Sequence, residues 1–111
     1  PLLLLQQPEL HLHPVAQAAM GQVIFNLNQM GLNFMVETHS DFLIDRFRAC
    51  VRENENNEDK GKVSNSSILY FENDENGNKF YEIGIMNSGA LKDTPSNYKE
   101  FFAKEFARTM F

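Results

Sequence analysis

Two short apolar runs, each ending in a cluster of polar and ionisable residues, constrain this chain more than any other feature. Leu2-Leu3-Leu4-Leu5 is apolar without alternation, the pattern of a strand buried on both faces, as in a parallel sheet. Gln6-Gln7-Pro8 ends it. Pro14 stands where a helix can begin, because proline is tolerated at the first helical position. Ala16, Ala19, Val23, Leu27 and Met30 then recur at helical spacing until Gly31 closes the segment. Asn33 to Thr38 reads as a second strand around Phe34-Met35-Val36. A strand–helix–strand unit of this length implies a parallel pair with a right-handed crossover. Both strands then end at the same sheet edge, where open α/β folds bind ligands.

Beyond the second strand, Ser40 is an N-cap candidate. Asp41 and Asp45 follow where the helix dipole favours negative charge, and Leu43, Phe47 and Cys50 or Val51 form an apolar stripe. Glu53 to Ser67 is polar and reads as a solvated loop. Ile68 to Phe71 and Phe80 to Ile85 flank Asn76-Gly77, a strong hairpin signal. Tyr98, Phe101, Phe102, Phe106 and Met110 mark a C-terminal amphipathic helix. The organisation is one α/β domain in three parts: residues 1–52 with the two strand ends, a polar loop at 53–67, and a β-hairpin with closing helix at 68–111.

The chain has 111 residues, enough for one modest core. Its net charge of −5 disfavours autonomous binding of DNA or RNA, which calls for a basic surface. No apolar run reaches the roughly 18 residues of a membrane span, so no membrane partner is expected. Cys50 is the one cysteine, which excludes an internal disulfide and a cysteine zinc site and fits a reducing cytoplasm. Pro1 leads straight into the leucine run, as if a strand were entered part-way. The chain therefore reads as the C-terminal piece of something longer.

The residues at the two strand ends carry a resemblance. Leu2-Leu3-Leu4-Leu5-Gln6-Gln7 followed by Pro8-Glu9-Leu10-His11-Leu12-His13-Pro14 resembles the Walker B and D-loop region of ABC-type P-loop ATPases. The branch it is most similar to is the AAA-type bacterial ATPases that include overcoming-lysogenization-defect and RecF-like proteins. Val36-Glu37-Thr38-His39-Ser40 is similar to their switch, or H-loop, motif. Gly89 to Pro95 with Phe101-Phe102 is loosely similar to the C-terminal segment of one branch. The strong part of the resemblance covers roughly residues 1 to 48.

That resemblance implies the C-terminal portion of a P-loop NTPase core, with ATP and magnesium as ligands of the intact protein. It implies that Gln6 stands in the magnesium shell, that Gln7 orients or activates the attacking water, and that His39 reaches the terminal phosphate. Glu9 and Ser40 are further candidates for contact with the nucleotide or its metal. His11 and His13 would line a homodimer interface that sandwiches two nucleotides. The N-terminal half of the same ATPase is the implied partner, with a nuclease or DNA as possible others, in DNA-related or phage-defence processes.

Two departures stand out. Family members usually carry Asp or Glu where Gln6 stands, and here Gln6 and Gln7 are both neutral amides. An amide holds a water but supplies no negative charge to magnesium and no base at pH 7. No G-x-x-x-x-G-K-[ST] loop occurs in the chain, so only the rear half of an ATP site is present. Two other readings remain open. One is a degenerate ATPase half used only for assembly, which the paired glutamines favour. The other is a metal-dependent hydrolase using His11, His13, His39, Glu9, Glu37 and Asp41, although their spacing matches no closed zinc motif.

Overall fold

The strand–helix–strand unit forms as its apolar pattern requires. A computed structural model describes residues 2–54, 59–75, 77–95 and 98. Its elements are β1 (Leu2–Gln6), α1 (Pro14–Gln29), β2 (Asn33–Glu37), α2 (Asp41–Glu53), β3 (Val63–Asp74), β4 (Gly77–Met86) and β5 (Leu91–Lys92). β1 and β2 pair in parallel, from Leu2 opposite Asn33 to Gln6 opposite Glu37. β3, β4 and β5 form a separate antiparallel sheet in that order. The protein is thus a small α/β domain with one parallel and one antiparallel sheet.

Local chemistry fixes the helix ends. Pro14 opens α1, and His13 caps it by accepting the Val15 N–H at its Nδ1, 3.4 Å away. The other end is closed by Gly31, whose φ of +99° suits a residue without a Cβ. Gly31 N–H donates to Asn28 O at 3.0 Å and Leu32 N–H to Leu27 O at 3.2 Å, the paired bonds of a Schellman stop. Ser40 caps α2 by accepting from Leu43 N–H at 3.1 Å. Asp41 lies in the first turn of α2, and Asp45 pairs with Arg48 at 3.3 Å one turn further on.

One core joins the helices to both sheets. Ile24 of α1, Leu43 and Ile44 of α2, Ile83 of β4 and Tyr98 form its centre. Leu5, Phe34 and Val36 pack against it from the parallel sheet, and Ile68, Tyr70 and Leu91 from the antiparallel one. Tyr70 stands opposite Tyr81 in the hairpin register and meets Tyr98 edge-on at 5.6 Å. Tyr98 is the only member of the expected C-terminal stripe among the described residues; Phe101, Phe102, Phe106 and Met110 lie outside them.

The structure corrects four expectations. Among the described residues only Leu5 of the Leu2–Leu5 run packs against the core: Leu3 is 40% exposed, and Leu2, Leu4 and Met35 line the outward face at 57%, 67% and 59% exposure. The helix pair supplies one layer, and the described residues place no second layer over this face. The inward stripe of α1 runs through Met20, Gly21 and Ile24, so that Val23 and Met30, expected inside, turn outward. The polar loop is shorter than 53–67, because β3 begins at Val63, which pairs with Met86 across an irregular register up to Ser67. Pairing with β4 recruits that serine-rich stretch despite its poor strand propensity. Finally, β5 has no pattern in the sequence; two residues pair with Gly84 and Ile85 after a tight turn at Gly89.

Gly21 explains where the α1 stripe falls. A Cβ at this position would lie 2.3 Å from Leu43 O and 3.3 Å from Arg46 Cβ, so the two helices cross with the α1 backbone against α2. Gly21→Ala forces the helices apart and costs about 2 kcal/mol, in the range of overpacked cores. Chemical denaturation of the variant measures the loss, and an unchanged midpoint refutes the close crossing.

Candidate functional site

The register of the parallel pair brings the two polar strand ends together. Beyond the Gln6–Glu37 pair, Gln7 N–H donates to Glu37 O at 2.7 Å, and the Gln7 side-chain amide donates to Glu37 Oε1 at 3.3 Å. Gln6, Glu37 and His39 are exposed along this edge, and Gln7 is half-buried. The parallel register thus puts the β1 end at Gln6 and Gln7 on the same edge as the β2 end that precedes His39. His11 and His13 are exposed in the adjoining β1–α1 turn.

That turn is tightly wound. Leu10 N–H donates to Gln7 O at 3.1 Å and Leu12 N–H to Glu9 O at 2.9 Å. Gln7 and His11 both adopt positive φ, 42° and 66°, a conformation that costs a side-chain-bearing residue roughly 1–2 kcal/mol. Such backbone persists only where its surroundings over-determine it.

Glu9 supplies that determination. It is 6% exposed, and its two carboxylate oxygens reach across to the end of β2. Thr38 Oγ1 donates to Glu9 Oε1 at 2.6 Å. His39 N–H donates to Glu9 Oε2 at 3.2 Å. A buried carboxylate is tolerable only when hydrogen-bonded in this way. Thr38 Oγ1 in turn accepts from Ser40 N–H at 3.0 Å.

A second link runs parallel to the first. Ser40, 4% exposed, donates from Oγ to Gln17 Oε1 at 2.6 Å while accepting from Leu43 N–H. Gln17 Nε2 donates to Leu12 O at 2.9 Å. Hydrogen bonds thus run from the β1–α1 turn through α1 to the start of α2. Thr38 and Gln17 are the members that sequence analysis passes over. Gln17 leaves a trace, as a polar residue on the inward side of an otherwise apolar helix stripe.

The site residues fall into two groups. Gln6, Gln7, His39, His11 and His13 form the rim, while Glu9 and Ser40 lie beneath it with their oxygens engaged by the chain itself. The convergence that a metal-dependent hydrolase would need is not formed: among the described residues no three His, Cys, Asp or Glu side chains gather as a metal-holding group. Glu9 turns under the loop, His13 caps α1, and Asp41 begins α2. Burial, and then the neighbouring Asp45, hold the Asp41 carboxyl above its ordinary range, with Arg48 pulling the other way. Residues 6–13 and 37–41 contain no Lys or Arg. No helix among the described residues is long and apolar enough to cross a membrane.

No protein-family model, curated protein or solved structure matches this chain.

Two stability measurements test the geometry. Ser40→Ala removes the α2 cap and strands Gln17 Oε1, and lowers stability by about 2 kcal/mol. His11→Val, with a branched side chain at positive φ, loses about 1–2 kcal/mol relative to His11→Asn, which tolerates the left-handed conformation. Equal midpoints for the two His11 variants refute the left-handed turn.

Proposed function

We propose that this chain is the C-terminal portion of the P-loop core of an ABC-type ATPase, contributing the strand-end half of a nucleotide site. The observation that carries this reading is that Gln6, which ends β1, and Gln7 after it lie at the same sheet edge as His39, which follows β2. Phosphoryl transfer depends on positioning groups around the terminal phosphate, and two parallel strand ends held in register are suited to that. On this reading His39 faces the terminal phosphate, and Gln7, anchored by Glu37, holds the attacking water. His11 and His13 lie on the surface that meets a second copy. The phosphate-binding loop and its lysine come from the N-terminal half. The intact protein acts as a cytoplasmic homodimer in DNA-related or phage-defence processes.

The magnesium ion that such a site implies does not fit the residues present. Gln6 and Gln7 carry no charge to offer a hard divalent cation, which prefers carboxylate oxygen. Both oxygens of Glu9 are held by Thr38 and His39. The reading therefore rests on nucleotide binding, with weak hydrolysis. The paired amides also support a second reading, in which the half-site serves assembly alone and never turns over.

Titration calorimetry of the full protein with ATP and magnesium separates the two: micromolar binding supports the ATPase reading, and no heat of binding supports the assembly module. A steady-state ATPase assay then tests the amides. Turnover is slow in the natural sequence and rises at least tenfold, about 1.4 kcal/mol of barrier, in Gln6→Glu, and by less in Gln7→Glu. Ordinary turnover in the natural protein that Gln6→Glu leaves unchanged refutes the assignment of Gln6.

A further inference from the structure

Glu9 is a buried ionisable group that no step of the proposed chemistry uses. Its position is costly unless the bonds it makes serve the structure around it. It leaves the sheet edge, passes under the strained Gln7–His11 turn, and ends on the hydroxyl of Thr38 and the backbone N–H of His39. Both acceptor oxygens are committed, at 2.6 and 3.2 Å, to consecutive residues of one turn. Thr38 passes the constraint on to Ser40, which is bonded to Gln17 and through it to Leu12 O. The two loops that flank the candidate site are thereby closed into one hydrogen-bonded ring, with the buried Glu9 carboxylate and Ser40 hydroxyl as its two crossing points. His39, whose side chain is exposed on that ring, has its main-chain N–H held from below by Glu9.

We infer that Glu9 is a positioning residue: it sets the main chain of His39 and locks the β1–α1 turn to the β2–α2 turn, so that the two rims of the site move as one body. The inference rests on the proposed function only in what His39 is positioned for; the coupling of the two turns follows from the bonds alone. A carboxylate is required because it accepts on both oxygens. A glutamine at this position keeps one acceptor: its N–H₂ faces either the His39 N–H, which is itself a donor, or the Thr38 hydroxyl, whose O–H then loses its acceptor. Charge matters as well as shape, since a bond to an ionised acceptor is roughly twice as strong as a neutral one.

Hydrogen exchange of the full protein, resolved by residue, tests the coupling without nucleotide. In Glu9→Gln the amide protons of His39 and of Leu12, in the opposite turn, exchange at least tenfold faster, while those of Ile83 and Ile85 in the hairpin are unchanged. Thr38→Val, which removes one donor and leaves the carboxylate, produces a smaller increase at the same two amides, and Thr38→Ser restores the natural rate. Acceleration at His39 without any change at Leu12 overturns the coupling. Unchanged rates at both, or a uniform acceleration that includes Ile83, overturn the positioning role. If Glu9→Gln fails to fold, the Thr38→Val and Thr38→Ser pair gives the same decision. ATP turnover in the same variants reads the functional half: kcat falls at least tenfold in Glu9→Gln with KM for ATP held within twofold. Exchange effects in a protein that binds no ATP leave Glu9 as the lock and refute the ATPase reading. Normal turnover with unchanged exchange refutes the lock and leaves that reading intact.

Discussion

A buried carboxylate reaching from one strand end to the other is the constraint on which the arrangement of the site depends. Two parallel strands of five residues each specify a common edge but not the path of the loops that leave it. Here the loop after β1 passes through two left-handed residues, and the loop after β2 turns sharply into a helix cap. Either conformation alone would be one of many. The bonds from Glu9 to Thr38 and His39 select the pair of conformations in which both loops fit, and Ser40 and Gln17 repeat the selection one helical turn deeper. The cost of removing a charge from water is offset by two charge-assisted bonds and by the definition of the site they create.

The helices hold this arrangement against the sheet. With no Cβ at Gly21, α1 sits directly against the Leu43 carbonyl of α2, and that proximity keeps Gln17, one turn earlier, within reach of Ser40. The same crossing sends Met20 and Ile24 into the core and turns Val23 outward. A packing requirement inside the domain thus reaches the site through a single polar side chain on an apolar helix face. The antiparallel sheet completes the core with Ile83, Ile68 and Tyr70 and contributes no residue to the rim.

The outward face of the parallel sheet is apolar and, among the described residues, uncovered. Leu2, Leu4 and Met35 lie side by side there, the composition of an interior surface rather than of one facing water. The edge beside it carries amides and histidines, and residues 6–13 and 37–41 contain no Lys or Arg.

Much of the framework was legible in the sequence, because it depends on contacts between residues close along the chain. The uniform run Leu2–Leu5, the helix from Pro14 to the stop at Gly31, the strand around Phe34–Val36, the Ser40 cap and the Asn76-Gly77 hairpin are local patterns. Together with the handedness of a crossover they determine a parallel pair with Gln6, Gln7 and His39 at one edge. What lay beyond the sequence depends on partners distant along the chain. The start of β3 at Val63 and the existence of β5 are decided by pairing with β4, which overrides local propensity. The inward face of α1 is decided by the crossing at Gly21, which no periodicity within α1 reveals. The role of Glu9 is the clearest case: read along the chain it is one more carboxylate beside two histidines, a candidate ligand for a metal or nucleotide. Only the fold, by placing Thr38 and His39 29 and 30 residues further along the chain within hydrogen-bond distance, turns both of its oxygens inward and makes it the lock beneath the site.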